Sequence, residues 1–201
     1  GNAAEKGGGA IYSNSIITDN TTAEYTFTGN QSNSGAGGAI LTDTSLHIIA
    51  DNLTFKSNIS DSSGGAIYSK DDITLDSSST FTDNSSGTVG GAISAQKLIL
   101  DGSSTFTNNR SDGSGGAIYI TDLCLNTNTY TFNNNTSNAA GGAINIQNSI
   151  YLTLLDNSNA TYLEMSGNSA LDASDIWINT NDISSIRPSK PGFYKNVENK
   201  Q

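Results

Sequence analysis

One cysteine, one histidine, one tryptophan and two prolines occur in 201 residues. A lone Cys124 rules out an internal disulfide, so no covalent staple holds this chain together. It lies in the apolar run Leu123-Cys124-Leu125, where a buried or half-buried inert thiol is expected rather than a nucleophile. With His47 the sole imidazole and no partner for it evident in the sequence, a Ser/His/Asp set has little to build on. Basic residues are scarce as well. Lys+Arg number 9 against 19 Asp+Glu, a formal charge of -10, which argues against nucleic acid or an anionic bilayer as partner, since both are polyanions. No stretch of about 18 apolar residues suggests a membrane helix, and no secretory leader is visible. Runs with helical periodicity are absent.

What is present is a repeat. Gly-Gly-Ala-Ile occurs six times, at Gly8-Gly9-Ala10-Ile11, Gly37-Gly38-Ala39-Ile40, Gly64-Gly65-Ala66-Ile67, Gly90-Gly91-Ala92-Ile93, Gly115-Gly116-Ala117-Ile118 and Gly141-Gly142-Ala143-Ile144. The intervals are 29, 27, 26, 25 and 26 residues. Phe-x-x-Asn occurs five times, as Phe27 with Asn30, Phe55 with Asn58, Phe81 with Asn84, Phe106 with Asn109 and Phe132 with Asn135. Each Phe precedes the next Gly-Gly by 10, 9, 9, 9 and 9 residues. Met165-Ser166-Gly167-Asn168 and Ala173-Ser174-Asp175-Ile176-Trp177-Ile178 read as a degenerate further copy of the pair. Two unlike tetrapeptides held in register over six copies define a repeat architecture.

A third signal lies between them: Leu46-x-Ile48, Ile73-x-Leu75, Leu98-x-Leu100, Leu123-x-Leu125 and Ile150-x-Leu152. Apolar residues two apart mark strands with one buried face. Three short strand signals per 26 residues or so, separated by Ser, Thr, Asn, Asp and Gly turns, predict an all-β fold. The architecture expected is a right-handed parallel β-helix (a solenoid) of about seven coils and three strands per coil, spanning residues 1–178. At about 4.8 Å per coil such a rod is about 35 Å long, and each coil closes its core only by stacking on its neighbours. Residues 179–201 lose the repeat, gain Pro188 and Pro191, and are expected to cap the rod or to link it onward.

In that fold the motif Ile and Phe residues form interior ladders, and the Asn is expected to occupy a left-handed turn and to bond from coil to coil. Gly-Gly supplies a sharp bend or a close backbone approach. Alternation puts the residue after each motif Ile on the opposite face, giving an outward stripe of Tyr12, Leu41, Tyr68, Ser94, Tyr119 and Asn145. Tyrosine is enriched at interfaces, so this stripe is the candidate contact surface.

Rival chemistries are weaker. A polysaccharide lyase or hydrolase needs clustered carboxylates and bases, and Asp76 and Asp101 occupy equivalent positions in adjacent coils; both, however, sit in the repeated turn Leu-Asp-x-Ser-Ser-Thr-Phe. Asp71-Asp72 is the one acidic pair suggesting calcium, without the nonapeptide or loop pattern of known calcium sites. Asn-x-Ser/Thr triplets such as Asn58-Ile59-Ser60 and Asn135-Thr136-Ser137 follow from composition. No cofactor, metal or catalytic residue is expected, and the chain is read as not an enzyme.

The repeated, alternating pairing of Gly-Gly-Ala-Ile with Phe-x-x-Asn over residues 8–178 resembles the chlamydial polymorphic membrane proteins. The resemblance implies an autotransporter passenger: a β-helix on the bacterial surface or outer membrane, or secreted after processing, serving as an adhesin toward a host epithelial cell-surface protein. In that family a C-terminal β-barrel, not seen here, makes the membrane connection, so a piece of a longer protein is expected. The resemblance also marks both tetrapeptides as linked to adhesion, though inward-facing Phe and Ile suit a scaffold better than a contact. Carbohydrate binding, a structural stalk and a self-associating homo-oligomer remain alternatives.

Overall fold

A computed structural model describes residues 1–126, 128–152 and 162–178. Among these there is no helix, and every strand pairs in parallel with its counterpart one repeat away. The result is a β-solenoid of about six turns. In one stack Ile11, Ile40, Ile67, Ile93, Ile118, Ile144 and Ile176 fall in successive register. In the next, Ile16, Leu46, Ile73, Leu98, Leu123 and Ile150 do the same. The third aligns Phe27, Phe55, Phe81, Phe106, Phe132 and Met165. The degenerate last copy therefore belongs to the same stacks. Residues 179–201, assigned to a cap or linker, lie outside the described residues.

Beyond the three strands expected per coil there is a fourth. Pairs such as Gln31–Ser32, Ile59–Ser60, Ser85–Ser86, Arg110–Ser111 and Thr136–Ser137 form a separate parallel sheet. Two residues cannot show a period, so this strand has no sequence signature of its own. Its second position is serine in these five copies and Ala4 in the strand Ala3–Ala4 that begins the sheet, and Ser32, Ser60, Ser86, Ser111 and Ser137 are all buried. The repeated unit is thus Phe-x-x-Asn-x-Ser, and the Asn-x-Ser triplets are part of the solenoid wall.

The interior is apolar and periodic. Phe55, Phe81, Phe106 and Phe132 are fully buried, and the five Phe rings stack at 4.8–4.9 Å with interplanar angles of 2–6°. That spacing is the coil step itself. Each buried Leu, Ile or Phe stabilises the fold by about 1.5–3 kcal/mol. Ile11 is an exception to the interior ladder: it is 36% exposed, because its coil has a neighbour on one side only among the described residues.

The motif asparagines are buried and chained. Asn2, Asn30, Asn58, Asn84, Asn109, Asn135 and Asn168 link in sequence, each from Asn30 onward accepting on its side-chain oxygen from the backbone N–H and side-chain amide of the Asn one coil before. The second amide hydrogen of Asn58, Asn84, Asn109 and Asn135 goes to the carbonyl of Phe27, Phe55, Phe81 and Phe106. The expectation of a left-handed Asn is corrected here. Positive φ belongs to the residue just before it: Gly29, Ser57, Asp83, Asn108, Asn134 and Gly167, at 53–65°. That turn residue points outward and varies, whereas the Asn is held in place by the bonds its amide makes.

The two glycines divide the labour that the sequence left open. The first, as in Gly37, Gly64, Gly90, Gly115 and Gly141, takes φ of 65–71°. The second makes the close approach. A Cβ on Gly38, Gly65, Gly91, Gly116 or Gly142 would lie 2.0–2.1 Å from the carbonyl oxygen of the equivalent residue in the next coil. The last coil has Ala173 at a φ of 51° and Ser174 in these places. Ser174 fits because no described coil follows to oppose its Cβ.

Candidate functional site

The fold separates the two candidate sets from the sequence. Ala39, Ile40, Ala66, Ile67, Ala92, Ile93, Ala117 and Ile118 are at most 1% exposed, and Asn30, Asn58, Asn84, Asn109 and Asn135 at most 4%. Phe27, in the same terminal coil as Ile11, is partly buried against the core. The tetrapeptides therefore have almost no surface to offer a partner. The stripe after each motif Ile does lie on the outer face, with one correction. Leu41 is only 8% exposed, because the chain before the Gly-Gly folds beside the strand and a Cβ on Gly7 would touch the Leu41 side chain at 3.2 Å. Ser94 and Asn145 are likewise covered, at 5% and 2%. The stripe is the floor of a groove rather than a ridge.

Larger side chains rise from that floor. Tyr12 is 60% exposed, Tyr68 and Tyr119 are half-buried, and Trp177, in register with Asn145, is half-buried too. One wall comes from the turn before the Gly-Gly, through Ala36, Ser63 and Val89. The other comes from the residue three after the motif Ile: Asp43, Lys70, Gln96, Thr121 and Gln147. These wall positions share one repeat offset, a signal that was available in the sequence. Two depressions of about 420 and 300 Å³ meet at Ser63, Tyr68 and Lys70, so the groove is continuous from Tyr12 to Gln147, over six coils.

At one end its walls are fixed electrostatically. The Tyr12 hydroxyl donates to Asp43 Oδ2 at 2.6 Å, and Lys70 Nζ meets Asp43 Oδ1 at 2.5 Å. Lys70 and then Tyr12 hold the Asp43 carboxyl below the usual carboxylate range, while Asp43 raises both the Tyr12 phenol and the Lys70 ammonium. Tyr12 and Lys70 are exposed and Asp43 is half-buried, so the cluster orients side chains more than it stabilises the fold.

The residues considered for catalysis are engaged elsewhere. His47, for which the sequence suggested no partner, has one: its Nε2 is 2.7 Å from Asp76 Oδ2. Asp101 accepts instead from Asn126 Nδ2 at 2.8 Å. Arg110 pairs with Asp112 at 2.7 Å around the buried Ser111. Among the described residues, no three His, Cys, Asp or Glu side chains gather as a metal site. Cys124 is half-buried on the outer face, and burial raises its thiol pKa. A raised pKa means less thiolate, so Cys124 is expected to react several-fold more slowly than free cysteine with a disulfide reagent near about pH 8, and to match it once the chain is denatured. Following release of the coloured thiolate checks this.

The Chlamydia polymorphic membrane protein repeat matches residues 52–70, 78–96, 103–121 and 129–147. Each match starts just before a motif Phe, passes through the Asn and Ser ladders and the Gly-Gly, and ends at a groove wall residue, from Lys70 to Gln147. No curated protein and no solved structure matches the chain. In ladder, bend and groove, four successive coils of the chain are copies of one unit, the Chlamydia polymorphic membrane protein repeat.

Proposed function

We propose that this solenoid is a surface-displayed adhesin that binds a host epithelial cell-surface protein through its outer face, without catalysis. The family match points to a protein of the chlamydial surface or outer membrane. The observation that carries the reading further is the division of labour between faces: invariant ladders fill the interior, and the outer stripe holds tyrosines in a continuous groove. Tyrosine supplies broad amphipathic contact with few rotatable bonds. The engagement of Asp76, Asp101 and His47 with neighbouring side chains supports a binding role over sugar cleavage. On this reading the tetrapeptides matter for adhesion because they build the scaffold.

Beads coated with the 201-residue chain are expected to attach to human epithelial cells, and attachment should survive enzymatic removal of cell-surface glycans but not trypsin. Changing Tyr12, Tyr68 and Tyr119 together to Ser should lower attachment at least about tenfold, the equivalent of about 1.4 kcal/mol, with circular dichroism and melting unchanged. Wild-type beads that fail to attach would refute the proposal. Full attachment by the folded triple variant would move the contact off this face.

A further inference from the structure

Aromatic rings stand on every second coil of the outer face, and the groove takes in the first three of them. Tyr12, Tyr68, Tyr119 and Trp177 occupy alternate rungs, with Leu41, Ser94 and Asn145 between them. With coils stepping 4.8–4.9 Å, the rings recur about every 9.7 Å. A polyproline II strand turns once in three residues at about 3.1 Å each, about 9.3 Å per turn. The two periods differ by about 0.4 Å, so from the first ring to the fourth the misfit grows to only about 1 Å. A β-strand ligand, repeating about every 6.7 Å, falls out of phase within one interval.

The polar chemistry of the groove selects in the same direction. The stretch from Tyr68 to Gln147 offers hydroxyls, amides and the Lys70 ammonium, and no carboxylate, in a chain with 19 acidic residues. A polyproline II backbone has no internal hydrogen bonds, and where it consists of proline it presents carbonyl acceptors without N–H donors. Donor-bearing walls fit it. Sugar hydroxyls also donate, and side chains that only accept, the natural match for such donors, are missing from this half. The carboxylate at the other end, Asp43, already bonds Tyr12 and Lys70.

We propose that the groove binds a proline-rich segment of a partner protein in the polyproline II conformation, one turn of the ligand per pair of coils, with proline rings seated over the covered Leu41 and Ser94 rungs between the aromatic rings. This names the partner chemistry for the contact face of the adhesin reading and rests on that placement. The segment spanned is about six residues, two turns from Tyr12 to Tyr119.

Fluorescence anisotropy of a labelled all-proline peptide of about twelve residues tests it on the full chain, beside a Gly/Ser peptide of equal length and a neutral β-linked oligosaccharide. Saturable binding of the proline peptide alone is expected, weakened at least about tenfold by Tyr68→Ala with Tyr119→Ala, and weakened also by Ser94→Tyr, which fills a gap between rings while keeping every tyrosine. Preference for the oligosaccharide, equal binding of both peptides, no binding, or indifference to Ser94→Tyr would each overturn the proposal. The bead assay separates the two ideas. Attachment to cells without proline-peptide binding overturns the groove chemistry and leaves adhesion standing; peptide binding without attachment does the reverse.

Discussion

Gly91→Ala is expected to prevent a properly closed stack. The added Cβ would sit 2.0 Å from the carbonyl oxygen of Gly116 in the next coil and 2.6 Å from the backbone of Arg110. Both neighbours are main chain, so neither can swing aside. Relief requires the coils to part, which breaks the bonds from Gly91 N–H to Gly115 O at 3.1 Å and from Ala92 N–H to Ala117 O at 2.8 Å. A loss of at least about 4 kcal/mol puts this among the most damaging single substitutions, and melting at least about 10 °C lower, or no folding at all, follows for a chain of this size. Gly29→Asn is the control. Gly29 also has a positive φ of 64°, but a Cβ there meets only a carbon of Gly1 at 3.9 Å, and Ser57, Asp83, Asn108 and Asn134 stand at the equivalent turn. It should stay within about 1 kcal/mol of wild type. Comparable melting of the two variants would refute the close-approach account.

Asn84→Ala should be nearly as costly. It removes the two bonds that Asn84 donates, to Phe55 O and Asn109 Oδ1, and the acceptor that serves the Asn58 backbone N–H and side-chain amide. All of these groups are buried, and each left unsatisfied costs about 1–3 kcal/mol, so about 3–6 kcal/mol in total is expected. Asn84→Asp keeps the acceptor but loses the donor pair and buries a charge, and should not rescue. Thr80→Ala, one strand earlier on the exposed face, should change stability by less than about 0.5 kcal/mol. Urea unfolding followed by circular dichroism orders these variants. Because stability in stacked repeats is roughly a sum of neighbouring interfaces, the Asn84 variant is also expected to open near the third coil before the rest. Equal stability of the Asn84→Ala and Thr80→Ala variants would contradict the ladder.

Much of this solenoid is legible in the sequence because it repeats. The Ile and Phe ladders, the Leu-x-Leu strand and even the weak last copy at Met165 and Ile176 follow from spacing alone, since a stacked fold gives equivalent residues equivalent neighbours. Where the reading failed, one repeat unit did not hold the information. The Ser after each Asn looked like composition, because a two-residue strand has no period. Leu41 looked outward because alternation assigns a face and says nothing of what folds over it. His47 found Asp76 only across coils, a pairing that needs the register between strands Leu46–Lys56 and Asp72–Thr82. The groove is the largest such omission. Its two walls flank each Gly-Gly-Ala-Ile seven residues apart and face each other only once the chain is folded, and its aromatic rhythm spans two repeats at a time.

Successive Asn rungs from Asn30 onward are separated by 28, 26, 25, 26 and 33 residues, yet each makes the same bonds to the next. The ladder counts rungs and ignores the chain between them. A gene encoding such a protein can gain or lose a whole unit by unequal crossing-over, and the new junction finds its hydrogen bonds ready-made. Unequal spacing between rungs leaves the bonds between them intact. Length and outline are then free to drift while the interior stays fixed, at little thermodynamic cost.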